Sequence, residues 1–171
     1  MIRIHAHVHQ HLSTALAEMD DDEVLVVRAH SFGYHVFSNF VYDNHNLKGA
    51  HAPVLADGTS ADAPTPLSKL PDLNDRLALF ATTGCNIPLL VAGAPNSVPF
   101  TRPNDRFQWI NIYDKDDVLG WPLRPLGAAF DVDWIRDCKE NTGGLLRSHN
   151  NYWFDAGVNE QIAEAVADVI R

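Results

Sequence analysis

Val24-Leu25-Val26-Val27 and, directly beyond Arg28, Ala29-His30-Ser31-Phe32-Gly33 are the stretches on which the fold turns. The first is a short, β-branched run with apolar side chains at successive positions. Both of its faces are therefore apolar, which suits a strand buried in a parallel sheet better than one with a wet face. Helical character resumes over residues 34–42 through Val36, Phe37, Phe40 and Val41. A strand, a tight turn and a helix with a serine at the tip form the geometry that holds a nucleophile clear of the backbone. Small residues two before and two after the serine let the chain turn that sharply. Here they are Ala29 and Gly33, with alanine in place of the more usual first glycine. The simpler alternative is a small-residue turn in which Ser31 only caps the helix.

Outward from this point, strands and helices alternate. Residues 2–19 read as a helix, with Ile4, Val8, Leu12, Ala15 and Leu16 at helical spacing. Residues 43–75 are rich in Pro, Gly, Asp and Ser and read as a long loop, a length that in a compact domain usually serves function. Residues 73–83 are expected to be a short helix, 87–92 a second strand, and 107–113 a third. Leu145 and Leu146 are expected to form a short last strand. Residues 158–170 form an amphipathic helix with Val158, Ile162, Val166, Val169 and Ile170 on one stripe. The expected architecture is a single domain over 1–171, of α/β class, with three α/β/α layers around a mostly parallel sheet.

Composition excludes several classes. The net charge of −9 disfavours a nucleic-acid binder, which would carry a basic stripe, and an anchor for anionic membranes. No apolar run approaches the ~20 residues of a membrane span, and residues 1–10 hold no apolar signal core. Cys85 and Cys138 lie far apart without CxxC spacing and read as reduced thiols in a cytoplasmic protein.

Serine is a weak nucleophile without a base, and on folds of this type the chain order is serine, acid, histidine. The strand ending at Tyr113 runs into Asp114-Lys115-Asp116-Asp117-Val118-Leu119, at the sheet edge where ligands bind. Three aspartates compete. The habit of an Asp, one spacer and two aliphatics favours Asp116, with Asp117 second and Asp114 structural; an acidic surface turn is the bland alternative. His149, in Ser148-His149-Asn150-Asn151-Tyr152-Trp153 just before the last amphipathic helix, is the candidate base. The Phe32 N–H, next after the serine, is one candidate oxyanion donor. His30 and Trp121 are candidate pocket walls. The alternating His5, His7, His9 and His11 carry i, i+4 pairs, but no acidic or Cys ligand lies nearby in sequence, so no metal is expected. Cys85 reads as buried and structural.

Together, Ala29-His30-Ser31-Phe32-Gly33, Thr83-Gly84-Cys85-Asn86-Ile87-Pro88, the run from Ile112 through Asp116-Asp117-Val118-Leu119-Gly120-Trp121-Pro122-Leu123, and Ser148-His149-Asn150-Asn151-Tyr152-Trp153 resemble a group of serine hydrolases of the α/β-hydrolase superfamily. The resemblance covers nearly the whole chain. It implies hydrolysis of a small-molecule carboxylester through Ser31, Asp116 and His149, with no cofactor. Such hydrolases carry further strands ahead of the helix that opens this sequence, so a truncated form of the fold is expected. The alternative is an inactive hydrolase remnant or one part of an assembly. In either case the 24–27 strand would be an edge, and such an edge invites pairing with a second copy into a dimer.

Overall fold

A computed structural model describes residues 2–46, 70–91, 99–145 and 147–171. Its elements, in order, are α1 (Ile2–Glu18), β1 (Leu25–His30), α2 (Gly33–Asn46), α3 (Pro71–Arg76), β2 (Leu77–Thr83), α4 (Ile87–Leu90), β3 (Gln108–Asp114), a 3-10 turn (Arg124–Leu126), β4 (Ile135–Glu140), α5 (Ser148–Asn151) and α6 (Ala156–Val169). The four strands form an all-parallel sheet in the order β1-β2-β3-β4. Helices cover both faces. On one, Tyr34, Phe37 and Val41 of α2 pack with Leu77, Phe80, Trp109 and Ile135. On the other, Val158, Ala165 and Val169 of α6 pack with Ala78, Ala81, Ile110 and Ile112. The fold is thus a three-layer α/β/α sandwich. α1 packs with α2 through Leu16 and Phe40, and Leu73 of α3 joins the same cluster. Among the described residues no helix is long and apolar enough to cross a membrane.

Four expectations from sequence need correction. Residues 73–83 are not one helix: only 71–76 are helical, and 77–83 form β2. Every residue of β2 is buried, so the run over residues 77–81 is apolar on both faces, and periodicity cannot separate a short buried strand from a buried helix. Conversely, residues 87–90 are the one-turn helix α4 rather than a strand. Pro88 sits in its first turn, where the missing N–H costs nothing. Leu145 is an exposed turn residue, not part of a strand, and Leu146 lies outside the described residues. The last strand is β4, Ile-Arg-Asp-Cys-Lys-Glu, whose charged residues hid it. At a sheet edge such charges are ordinary, because they discourage pairing with other chains. The expected loop over 43–75 also shrinks from both ends. α2 continues to Asn46 and α3 begins at Pro71; residues 47–69 lie outside those described. Asn44 joins these ends, accepting from the Leu70 N–H at 2.8 Å and donating to the Leu70 carbonyl at 3.1 Å.

Strand β1 pairs only with β2 among the described residues, and most of its side chains are half-buried where those of β2 are fully buried. It nevertheless carries Ser31 at its carboxyl end, on the edge of the sheet toward which Thr83 and Asp114 also point the chain.

Candidate active site

Ser31 leaves β1 with φ of +52°, and it is the non-glycine residue with positive φ among those described. A left-handed residue with a side chain costs about 1–3 kcal/mol and persists where neighbours over-determine it. Here its N–H donates to the Thr83 carbonyl at 2.9 Å, while its own carbonyl accepts from Tyr34 N–H at 3.3 Å as α2 begins. The turn is less crowded than expected from sequence. A methyl group added at Gly33 would meet the Ala29 Cβ at 3.9 Å, an ordinary contact, so alanine would fit there.

The short helix α5 carries His149 to this turn. His149 Nε2 lies 2.9 Å from Ser31 Oγ, and Nδ1 lies 2.8 and 3.0 Å from the two carboxylate oxygens of Asp117. A carboxylate only accepts, so Nδ1 carries the imidazole proton and Nε2 is left to accept from the serine hydroxyl. Asp117 is almost wholly buried, with its side chain 1% exposed.

Asp116, favoured by the sequence frame, is not the partner of His149. Its carboxylate points outward, 39% exposed, and pairs with Lys115 Nζ at 2.8 Å. The cause is Asp114. That side chain is fully buried; its Oδ1 accepts from the Asp116 N–H at 2.9 Å, and its Oδ2 accepts from the N–H and hydroxyl of Thr142 at 2.6 and 3.0 Å. Once Asp114 closes this turn and the Asp117 N–H bonds back to the Asp114 carbonyl, position 116 faces solvent and 117 faces inward.

Burial alone would raise the Asp114 carboxyl, but the hydrogen bonds from Asp116 and Thr142 outweigh it and hold it below its ordinary value. A carboxyl depressed in the folded state adds stability that is present above its unfolded value and fades as pH falls through the folded one. Asp114→Asn, which leaves the Thr142 donors badly matched, is therefore expected to cost about 1–3 kcal/mol at neutral pH. The loss should shrink toward pH 3. Urea denaturation at pH 7 and pH 3 checks this; a constant loss would contradict it.

Two glycines clear space for the Asp117–His149 pair. A Cβ at Gly84, whose φ is +58°, would lie 3.1 Å from the His149 ring and 3.2 Å from Asp117 Oδ2. A Cβ at Gly120 would lie 2.4 Å from Asp117 Oδ2 and 2.8 Å from Gly84 Cα, distances that no real contact tolerates. Gly120→Ala is expected to cost about 1–3 kcal/mol by overpacking. A lowered urea midpoint would show this, and an unchanged one would mean that the turn has room.

The other residues singled out from sequence surround this line. The Phe32 N–H meets no hydrogen-bond acceptor among the described residues, and its ring is half-exposed beside His35. The His30 ring lies 4.8 Å from that of His149, and its Nδ1 is 3.1 Å from Thr83 Oγ1. Burial, then the neighbouring His149, push its protonation below the ordinary histidine value, so His30 stays neutral to lower pH. Trp121 follows the acid turn and is half-exposed, its indole N–H bonded to the Val118 carbonyl at 3.0 Å. Cys85 is buried, which pushes its thiol up to about 12; Cys138 is also a free thiol. Among the described residues no group of three or more His, Cys, Asp or Glu is placed to hold a metal ion. The side chain of His5 lies outside those described.

Three supports were not read from the sequence. Arg28, within β1, donates to the Tyr152 carbonyl at 2.8 Å and to Asn159 Oδ1 at 3.0 Å, and lies 4.4 Å over the Trp153 ring, tying the His149 segment to the elbow strand. A charged residue inside an apolar strand run was the available signal. Asn111 and Asp137 form a second support. Asn111 Nδ2 donates to Asp137 at 2.7 Å and to the Trp121 carbonyl at 3.0 Å, while Asp137 accepts from the N–H groups of Leu123 and Arg124. Together they hold the segment after the acid turn against the sheet. Tyr152, fully buried, is the third. The asparagine–aspartate and tyrosine–aspartate pairings join residues 26 and 35 positions apart and leave no local pattern.

In comparisons with protein-family models, curated proteins and solved structures, no match to this chain was found.

Proposed function

We propose that this protein is a serine hydrolase of the α/β-hydrolase type, acting on carboxylesters through an acyl-enzyme intermediate. The observation that carries the reading is the unbroken hydrogen-bonded line from Ser31 Oγ through His149 to the buried Asp117, with the serine held in a left-handed conformation at a strand end. In this reading Ser31 Oγ attacks the ester carbonyl carbon while His149 Nε2 takes its proton. The Phe32 N–H donates to the developing oxyanion. His149 then returns the proton to the leaving alkoxide, and the cycle repeats with water as nucleophile to release the acid. Asp117 holds the imidazole in the productive tautomer and stabilises its charged form. His30 and Trp121 are assigned to the walls of the ester site. No cofactor enters this scheme. The two free cysteines favour the cytoplasm as its location.

One observation favours a second, non-enzymatic reading, as an inactive hydrolase remnant or a component of an assembly. β1 offers an unpaired edge among the described residues, suited to another strand or a second copy of the chain. A fluorophosphonate probe separates the readings. Mass spectrometry should find the adduct on Ser31, and p-nitrophenyl esters of graded chain length should be turned over. A folded protein that takes no label and hydrolyses none of these esters would favour the second.

A further inference from the structure

We propose that Tyr152 is a positioning residue for this reaction: its hydroxyl sets the Asp117 carboxylate against His149. The inference rests on the serine hydrolase reading for its kinetic consequence, though not for its geometry. The Tyr152 side chain is fully buried beneath α6, in the cluster with Ile110, Ile112 and Val158. A phenylalanine would fill that space equally well, so the hydroxyl is there for its polar contacts. It accepts from the Asp114 N–H at 2.8 Å and lies 3.1 Å from Asp117 Oδ2. A phenol has one proton. Because the Asp114 amide must donate, that proton remains for Asp117. Burial, then the Asp117 charge, push the phenol well above its ordinary value, so the proton stays in place across the working range.

The consequence is a carboxylate pinned at both oxygens. Tyr152 donates to Oδ2, and the Leu119 N–H donates to Oδ1 at 2.9 Å. With Gly84 and Gly120 packed close on other sides, the carboxylate keeps both oxygens toward His149 Nδ1. Tyr152 also caps α5, the helix that carries His149. One short segment therefore delivers the base and orients the acid that serves it. Its far end lies against Thr142: that hydroxyl is 2.9 Å from the Ser148 carbonyl and 3.0 Å from Asp114 Oδ2, with one proton for the two, while the Thr142 N–H holds Asp114 in either case.

The test is a double-mutant cycle read by the rate of fluorophosphonate labelling. Tyr152→Phe is expected to slow labelling about tenfold, the value of one hydrogen bond to a charged group. In an Asp117→Asn background the same change is expected to slow it less than about twofold, since there is no carboxylate left to orient. An equal factor in both backgrounds, or no loss in the first, would overturn the proposal. Should Tyr152→Phe fail to fold, para-aminophenylalanine at position 152 supplies a donor in the same place. Labelling near the natural rate is expected, and a tenfold loss persisting in the Asp117→Asn background would overturn the proposal. The second readout is the downfield proton resonance of His149 Nδ1–H, which needs no turnover. It is expected to move upfield and broaden in Tyr152→Phe; an unmoved resonance overturns the positioning role. If the natural protein takes no label yet its resonance moves in the variant, the hydrolase reading fails and the positioning of Asp117 stands.

Discussion

Ser31→Ala is expected to abolish fluorophosphonate labelling and to lower the proposed ester hydrolysis by a factor on the order of 10⁶, to the level set by binding and the oxyanion donor alone. The size follows from the geometry. Ser31 Oγ is the oxygen 2.9 Å from His149 Nε2, so removing it leaves the base with nothing to activate except water. The fold should survive, because the backbone bonds that hold the turn, Ser31 N–H to Thr83 and Tyr34 N–H to Ser31, use no side-chain atom. Ser31→Gly sharpens the prediction. Glycine accepts a φ of +52° without the steric cost that a Cβ incurs, about 1–2 kcal/mol. It should be equally inactive yet melt higher than the natural protein, the expected signature of a serine held in strain for its chemistry. Thermal denaturation beside active-site labelling checks both. A Ser31→Ala protein that still labels fully would place the nucleophile elsewhere.

The second large effect separates adjacent aspartates. Asp117→Asn is expected to lower ester turnover by about 10⁴, while Asp116→Asn stays within a few-fold of the natural protein. An amide at 117 can turn its NH₂ toward His149 Nδ1. The imidazole then accepts there, its proton moves to Nε2, and the nitrogen facing Ser31 can no longer take the serine proton. Asp116 touches none of this: its partner is Lys115, and both are substantially exposed. Removing such a surface pair costs at most about 1 kcal/mol of stability. Steady-state kinetics on both variants decides the matter. A deep loss in Asp116→Asn with little in Asp117→Asn would mean that the turn is arranged otherwise in solution.

The legible part of this protein is the part encoded locally. Residues 24–27 are apolar on both faces, Ser31 lies between two small residues with a helix to follow, and α6 shows its stripe. Each feature depends on neighbours a few positions away, and the structure places these elements to within a few residues. The sequence by itself was also enough to select Ser31 and His149, which the structure puts 2.9 Å apart although 118 positions separate them. Elements whose character depends on burial were not legible. β2 is buried throughout because both sides are covered, β4 is charged because it is an edge among the described residues, and α4 is a turn of helix in an apolar run that resembles a strand.

Which aspartate meets His149 was decided by tertiary structure alone. In Asp114-Lys115-Asp116-Asp117 the residue types do not distinguish the three carboxylates. The choice depends on Thr142, 28 residues on, and on Tyr152, 38 residues on, both bonded to Asp114. These distant partners, Thr142 donating to its carboxylate and Tyr152 accepting from its backbone N–H, hold Asp114 in the interior, and the turn it then closes sends Asp116 to water and Asp117 to His149. The reason is physical: local sequence sets which conformations a turn prefers, but which of its side chains is buried follows from where the rest of the chain supplies hydrogen-bond partners.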